Sequence, residues 1–468
     1  MPSVRALFTD IRTWILLLAL VRLVGITDPP LEAAHNWRQT TVLMVARNYY
    51  EQGPDLLHPR IDFAGERTGI TGMEFPLLNY LVYAVAAVFG WAGWYGRAIV
   101  LLSSMLGAWA FHRLVRRYVG DRIAFIATLL LLSSLWFQYG RKTMPDVFAL
   151  SLVMAGLWWT SQVLHGERPG LNGWLAGVSI ALGVLSKSPA ALLLVALLPM
   201  CWMARAARTR VMLAVAIAGL ALIPSVWWYG CWVPHLVRAY GFWHFFMGKG
   251  MAEGVAELVA RWPEVAEKFY FDALRFSGCA AFIGGLVVAA RRRANGLLLT
   301  LAAFACAQTI IMLKAGGTFA GHSYYILPFV PIMAVVAAYG LTALPGRWPI
   351  ILTALIAMEG LLNAQHDLHL RPDQRELLSL EPFLDGATHR DERIVINAGD
   401  VPTAMYLAHR KGWLAHNADL QRPVFVDSLA ALGCRYVVVL KDKGEGDVAI
   451  GRPVVAEDAH FRLLRATR

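Results

Sequence analysis

The chain reads as an α-helical polytopic membrane protein followed by a small α/β domain, and three observations predict this. Hydrophobic residues make up 57% and charged ones 16% of its 468 residues, against roughly 25% charged in an ordinary soluble domain. About eleven stretches are apolar and long enough to cross a bilayer as helices. From about Ala364 onward the pattern changes to short strands, Ile394–Ile396 and Tyr436–Leu440, alternating with a helical stretch near Thr403–Arg410. The expected division is a membrane module over 1–363, with a first outer loop at 28–96, and a soluble domain over 364–468.

The expected spans centre on 12–27, 97–115, 122–139, 147–164, 171–186, 189–204, 211–232, 275–290, 296–313, 323–344 and 348–363. Lys and Arg in short loops set orientation. Arg5 and Arg12, then Arg113, Arg116, Arg117 and Arg122, then Arg205, Arg208 and Arg210, then Arg291, Arg292 and Arg293, and finally Arg347 all fall on one side if alternate turns are cytoplasmic. That places the N-terminus inside and the C-terminal domain outside. The alternation closes only if Leu77–Trp94 does not cross, so this apolar stretch is expected to lie along the outer interface, with Trp91, Trp94 and Tyr95 at headgroup depth. The segment before the first span is continuous with it and lacks a small-residue cleavage site, so it is expected to anchor the chain.

Two function classes are excluded early. A formal charge of +11 invites a nucleic-acid reading, but no basic run lies beside an aromatic stacking surface. The five cysteines are scattered without C-x-x-C spacing, which gives no zinc or redox motif. No His or carboxylate pair has tight ligand spacing, so neither a metal nor another cofactor is expected.

The chemistry is concentrated where helices are expected to meet the outer face. The first loop carries Asp28, Glu32, His35, Trp37, Arg38 and Gln39, then a helical stretch to Gln52, then Asp62 and Met73-Glu74-Phe75-Pro76-Leu77. Carboxylates at a hydrophobic boundary suit proton abstraction from an acceptor; the plainer reading is a set of solvated loop acids. Arg141-Lys142-Thr143-Met144-Pro145-Asp146 sits where the third span emerges. Pro145 fits a first helical turn, and Asp146 there is either a dipole partner or a site acid. Lys187 lies between two spans otherwise devoid of charge, and an intramembrane cation is a functional hypothesis by default, with snorkelling the alternative. His322, Tyr324 and Tyr325 precede Pro328 at the mouth of another span, as site residues or as part of an aromatic belt. Cations at a lipid boundary suit a lipid-linked phosphate as its negative charge develops on departure. No Gly-rich nucleotide cradle occurs in context, which disfavours a soluble nucleotide-sugar donor.

Six motifs in order, His35-x-Trp37-Arg38-Gln39, Ala46-Arg47-Asn48, Glu74-Phe75-Pro76-Leu77, Arg141-x-x-x-Pro145-Asp146, Leu185-x-Lys187-x-Pro189 and Tyr324-Tyr325-Ile326-Leu327-Pro328, carry a resemblance over about residues 10–345. The chain resembles the GT-C glycosyltransferases of the family 39-like superfamily: protein O-mannosyltransferases, lipid A aminoarabinose transferases and Rgt-like bacterial proteins. The resemblance implies an interfacial helix in the first outer loop and an inverting transfer from a polyprenyl-phosphate sugar. It also implies a loop carboxylate as base and basic residues on the phosphate. Relatives carry an acidic pair early in the loop where this chain has Arg38-Gln39, so the base is expected elsewhere: Glu74 first, then Asp28, with Glu32 also a candidate and Asp146 orienting the acceptor or a metal. Arg38, Arg141, Lys187, His322, Tyr324 and Tyr325 are the expected phosphate contacts, and His35, Trp37 and Gln39 the substrate contacts.

The expected partners are a polyprenyl-phosphate sugar, a cell-envelope glycan, lipid or protein as acceptor, and membrane lipid. A transporter or flippase of a lipid-linked saccharide would use similar groups, but such proteins often show paired repeats and broken helices at matched positions, which this sequence lacks. A catalytically inactive assembly subunit with the same fold is the other alternative.

Overall fold

The structure is a computed structural model that describes residues 9–32, 34–242, 248–370 and 372–467. Arg5, one of the charges used to orient the chain, lies outside the described residues. The chain divides into two compact units: Met1–Ile26, Arg97–Cys231 and Phe246–Leu368 form the first, and Thr27–Gly96, Trp232–Phe245 and His369–Arg468 the second.

The first unit is a helical bundle. Each of the eleven apolar stretches expected to span carries helix, from Ile11–Val21 to Trp348–Ala364. Among the described residues six helices are long and apolar enough to cross a membrane, or seven if the bent pair Trp262–Asp272 and Arg275–Arg291, hinged by 86°, is one span. Ile11–Val21, Ser188–Met203 and Val330–Thr342 are shorter. Proline starts several helices, as in Pro145–Leu164 and Pro169–Ser186, because its missing N–H costs nothing in a first turn. The stretch expected as one span over 122–139 is two helices, Asp121–Ser133 and Leu135–Tyr139. The Ser134 side chain accepts from the Trp136 N–H and restarts the helix after the break.

Small residues let the helices close up, the usual device where apolar burial gives no advantage over lipid. Helices Arg275–Arg291 and Val330–Thr342 meet at Gly285 and Gly340, where a Cβ on Gly285 would stand 2.0 Å from the Val336 carbonyl oxygen. The core beneath is Leu130, Leu131, Trp136, Val147, Leu150, Ile326 and Val330 with their neighbours.

The second unit contains a five-stranded sheet in the order β2-β1-β3-β5-β4. The strands are β1 (Arg393–Ile396), β2 (Gly412–Leu414), β3 (Cys434–Leu440), β4 (Val454–Glu457) and β5 (Phe461–Arg465). β1 runs parallel to β2 and β3, while β5 is antiparallel to β3 and β4. Both expected strands and the helix Thr403–Ala408 are present. Val395, Val437, Val439 and Leu464 from the sheet pack with Val426 and Leu429 from helix Pro423–Ala431.

The same unit holds the polar first loop. Its backbone docks on β2, with Gly65 N donating to Gly412 O at 2.7 Å and Gly412 N to Asp62 O at 2.9 Å. Gly412 has φ +151 and no room for a Cβ, which would meet the Ile394 carbonyl oxygen at 1.8 Å. Helix Leu77–Phe89 has 13 residues, about 20 Å at 1.5 Å per residue, short of the ~30 Å hydrocarbon core. It packs on helix Asn36–Gln52, where Asn79 Nδ2 donates to the Val42 carbonyl at 2.8 Å.

Candidate functional site

The residues singled out from the sequence divide between the two units. Asp28, Glu32, His35, Trp37, Arg38, Gln39 and Glu74 belong to the second unit; Arg141, Asp146, Lys187, His322, Tyr324 and Tyr325 belong to the first.

In the second unit the organising element is helix Asn36–Gln52, which is polar yet buried along most of its length. It starts at His35, held at φ 59, a left-handed conformation that only a few per cent of non-glycine residues adopt. The first turn then places three side chains. Arg38 is in direct contact with Glu74 as a charge-assisted ion pair, the two side chains being 7% and 3% exposed. Gln39 Nε2 donates to Glu32 Oε2 at 2.7 Å. Trp37 lies beside the Arg38 guanidinium, 5.9 Å from ring centroid to Cζ. Asp28 is half-buried.

More than two turns further on comes a cluster that no sequence motif had assembled. Arg47 donates to Asp62 Oδ2 at 3.1 Å and to the Tyr406 carbonyl at 3.0 Å, with its guanidinium 4.5 Å from the Tyr406 ring centroid. Asn48 Nδ2 adds a bond to Asp62 Oδ1 at 2.8 Å. A polar helix survives burial here because its donors and acceptors are paired. The Ala46-Arg47-Asn48 motif was the available signal, but nothing in it named Asp62 or Tyr406.

In the first unit the anchor is the N-terminus of helix Pro145–Leu164. Asp146 occupies its first turn, 5% exposed, and Oδ1 stands 3.8 Å from Lys187 Nζ. Its Oδ2 is buried without a hydrogen-bond partner among the described residues. Lys187 leaves helix Pro169–Ser186 in an extended conformation, φ −159, and its ammonium lies 5.5 Å from the Tyr324 ring centroid. Tyr324 stacks on His322 at 5.3 Å with 9° between the ring planes, and Tyr325 is tilted against Tyr324 at 4.8 Å. Asp146, Lys187, His322, Tyr324 and Tyr325 therefore form one cluster, although they come from three separated stretches. Tyr139, which the sequence reading passed over, joins it: its hydroxyl bonds Ser323 Oγ at 2.8 Å and its ring is 6.3 Å from that of Tyr324.

Arg141 takes a different position. Its two terminal nitrogens donate to the carbonyls of Val24 and Gly25 at 2.7 and 2.8 Å, and Arg97 reaches Gly25 O at 3.0 Å beside it. These two arginines cap the carbonyls left unpaired where the first helix unwinds. The adjoining Lys142 pairs with Asp367 at 3.1 Å; Gln138 donates to the same Oδ2 at 3.0 Å and accepts from Arg275 at 3.2 Å. Among the described residues the one triad with metal-ligand spacing is Glu376, Asp442 and His460, in the second unit.

Chemically, the first-unit cluster offers a desolvated cation and aromatic faces, which suit a phosphate attached to an apolar chain, and an acid whose open oxygen can accept from a hydroxyl. The second-unit cluster offers a carboxylate fixed by a guanidinium.

Residues 74–228, a third of the chain, match the family model described as dolichyl-phosphate-mannose-protein mannosyltransferase. None of the curated proteins matches the chain in sequence. Among solved structures, the chain is similar to ArnT from Cupriavidus metallidurans bound to undecaprenyl phosphate, at 15% identity and TM-score 0.60, covering 97% of this chain and 98% of that one. It is also similar to the Archaeoglobus fulgidus oligosaccharyltransferase in the apo form, at 13% identity and TM-score 0.56, covering 91% and 69%. A further match is AglB from the same organism, in complex with an inhibitory peptide and a dolichol-phosphate, at 12% identity and TM-score 0.53 over the same shares. At such identities the likeness concerns the fold: a multi-pass helical membrane module of GT-C type with a small C-terminal sheet.

Proposed function

We propose that the chain is an inverting glycosyltransferase of the bacterial inner membrane that moves a sugar from a polyprenyl monophosphate to a cell-envelope acceptor at the periplasmic face. The observation that carries this reading is that the candidate site residues include two buried acid–cation pairs, one in each unit, Arg38–Glu74 and Lys187–Asp146. The fold is shared with a protein bound to undecaprenyl phosphate and another in complex with a peptide and a dolichol-phosphate.

In an inverting displacement the base and the leaving phosphate stand on opposite faces of the sugar ring, so two groups that touch cannot serve both. A carboxylate paired with the phosphate-binding cation therefore orients that cation and is not the base. By this argument Lys187, oriented by Asp146 and backed by Tyr324, stabilises the departing polyprenyl phosphate. Glu74, oriented by Arg38, accepts the acceptor's proton as the new bond to the anomeric carbon forms. Arg38 is then a positioning residue, and so is Arg141, whose donors hold the backbone at 24–25. His322 and Tyr325 extend the donor side, while Asp28, Glu32, His35, Trp37 and Gln39 lie with the acceptor side in this assignment. No step requires a metal.

The test is release of polyprenyl phosphate by purified protein in lipid, from a panel of polyprenyl-phosphate sugars with membrane extract as acceptor source. Turnover with one donor is expected, lost in Glu74→Gln while donor binding persists, with donor affinity weakened in Lys187→Gln. Donor binding without release from any member of the panel would overturn the enzyme reading. Full turnover in Glu74→Gln would overturn the assignment of the base.

A further inference from the structure

Within the first unit, a cleft of about 1620 Å³ opens between helices Ile11–Val21, Tyr95–Tyr118, Asp121–Ser133 and Trp348–Ala364. Its composition is graded along its length. One end carries Arg12, His112, Arg113, Arg116 and Arg122 with Asp10 and Asp121; the remainder is almost wholly apolar. Leu18 and Phe137 line it and belong to a buried core cluster with Ile15, Ala108 and Leu132.

The charges at the polar end do not cancel. Arg12 is bonded to Asp10, and Arg116 to Asp121 at 2.7 Å, which uses both acids. Arg113 lies over the faces of Trp109 and Trp158, at 5.6 and 4.7 Å. No ion pair is present for Arg113 or Arg122 among the described residues. Two cations thus remain uncompensated at the mouth of a hydrophobic cleft. From Ile350 to Leu362 one wall is a single helix, giving about 18 Å of apolar surface at 1.5 Å per residue. That is close to one leaflet of a ~30 Å hydrocarbon core.

We infer that this cleft binds an anionic phospholipid from the surrounding membrane, its phosphate diester at Arg113 and Arg122 and its acyl chains along helix Trp348–Ala364. The length match selects a phospholipid of one leaflet, and the unpaired arginines select a net negative headgroup, since basic pockets between membrane helices hold such lipids. Once seated, the lipid joins the first helix to the last across a gap that protein side chains leave open, so it also stabilises the bundle.

The test uses the full chain, delipidated in detergent and offered phosphatidylglycerol or phosphatidylcholine, with retained lipid counted by native mass spectrometry and Tm followed in parallel. At about fivefold per arginine, phosphatidylglycerol is expected to be retained roughly thirtyfold better than phosphatidylcholine and to raise Tm. Arg122→Gln, an exposed site with no salt bridge to lose, should cut the preference about fivefold. Ala354→Trp, which fills the apolar wall and leaves the arginines intact, should reduce retention of both lipids. Equal retention of the two lipids would overturn the proposal. So would an unchanged preference in Arg122→Gln, or a tightly bound protein helix in place of lipid.

Discussion

Two of the buried acid–cation pairs differ in how completely their charges are satisfied within the protein. Arg38 and Glu74 touch directly, next to a helix start whose other side chains are also bonded. Lys187 and Asp146 stand 3.8 Å apart, and one carboxylate oxygen of Asp146 is buried without a hydrogen bond among the described residues. Burying a charge is costly unless it is paired and hydrogen-bonded. The closed pair meets that requirement by itself. The open pair meets it in part, which is the expected state of a site completed by substrate.

The strongest way to break this contrast is to remove one member of the closed pair. Arg38→Met should lower stability by about 3–5 kcal/mol, the usual consequence of leaving a buried charge uncompensated, read as a fall in Tm. Combining it with Glu74→Leu should recover much of that loss, a coupling that a double-mutant cycle measures directly. A loss below about 1 kcal/mol for Arg38→Met would place the pair in solvent-like surroundings and erase the difference from the open one.

Next in size is the open pair. Asp146→Asn keeps the shape of the side chain and removes its charge, so Lys187 loses its orienting partner. We expect kcat/KM for the donor to fall roughly 10- to 100-fold, equivalent to about 1.4–2.7 kcal/mol, with little change in Tm. A fall in Tm as large as that of Arg38→Met would show that Asp146 sits in a closed pair, as Glu74 does.

Arg47→Lys sharpens the closed side of the comparison. Lysine keeps the charge but cannot reach Asp62 and the Tyr406 carbonyl together while covering the Tyr406 ring. A loss of about 1–2 kcal/mol is expected, and increased proteolysis of the 53–72 loop would report it. Unchanged stability and proteolysis would remove Arg47 from the closed network.

The smallest effect comes from an exposed pair in the same unit. A hydrogen bond donated to the Glu445 carboxylate raises the His416 pKa above its usual 6.5, and Glu445 is correspondingly lowered by the Asn417 N–H and by His416. A raised imidazole pKa contributes stability that is full below pH 6.5 and declines as pH rises through the folded value. Tm should therefore slip slightly on the alkaline side of that window, and Glu445→Gln should flatten the slope. Solvent screening at this exposed position keeps the effect small.

Much of the architecture was legible because it rests on local patterns. Apolar runs marked the helices, a change to short strands interleaved with a helical stretch marked β1 and β3, and proline marked the helix start at 145. Asp146, Lys187, His322 and Tyr324 were each named from a charge or ring at the end of an apolar stretch, where such a residue needs a reason. Tyr139, inside an expected span, gave no comparable signal. Arg22 did: it is a fully buried arginine at the end of the first apolar run, bonded to Leu18 O and Ser104 Oγ, and the rule that flagged Lys187 applies equally to it. Arg141 was read as a phosphate contact from its charge alone; its bonds to Val24 and Gly25 come from 117 and 116 residues away in sequence.

By itself, then, the sequence determined that the chain spans a membrane many times, that a small α/β region follows, and which polar side chains stand at the ends of apolar stretches. These depend on how neighbouring residues partition between water, lipid and backbone hydrogen bonding, which is a property of short windows. Only the tertiary structure decided that Arg38 closes on Glu74 while Asp146 stays open, that Arg141 caps a backbone, and that segment 62–65 docks on β2. Partner choice among buried charges is settled by which groups packing brings within a few ångströms, and desolvation makes each such choice costly to reverse.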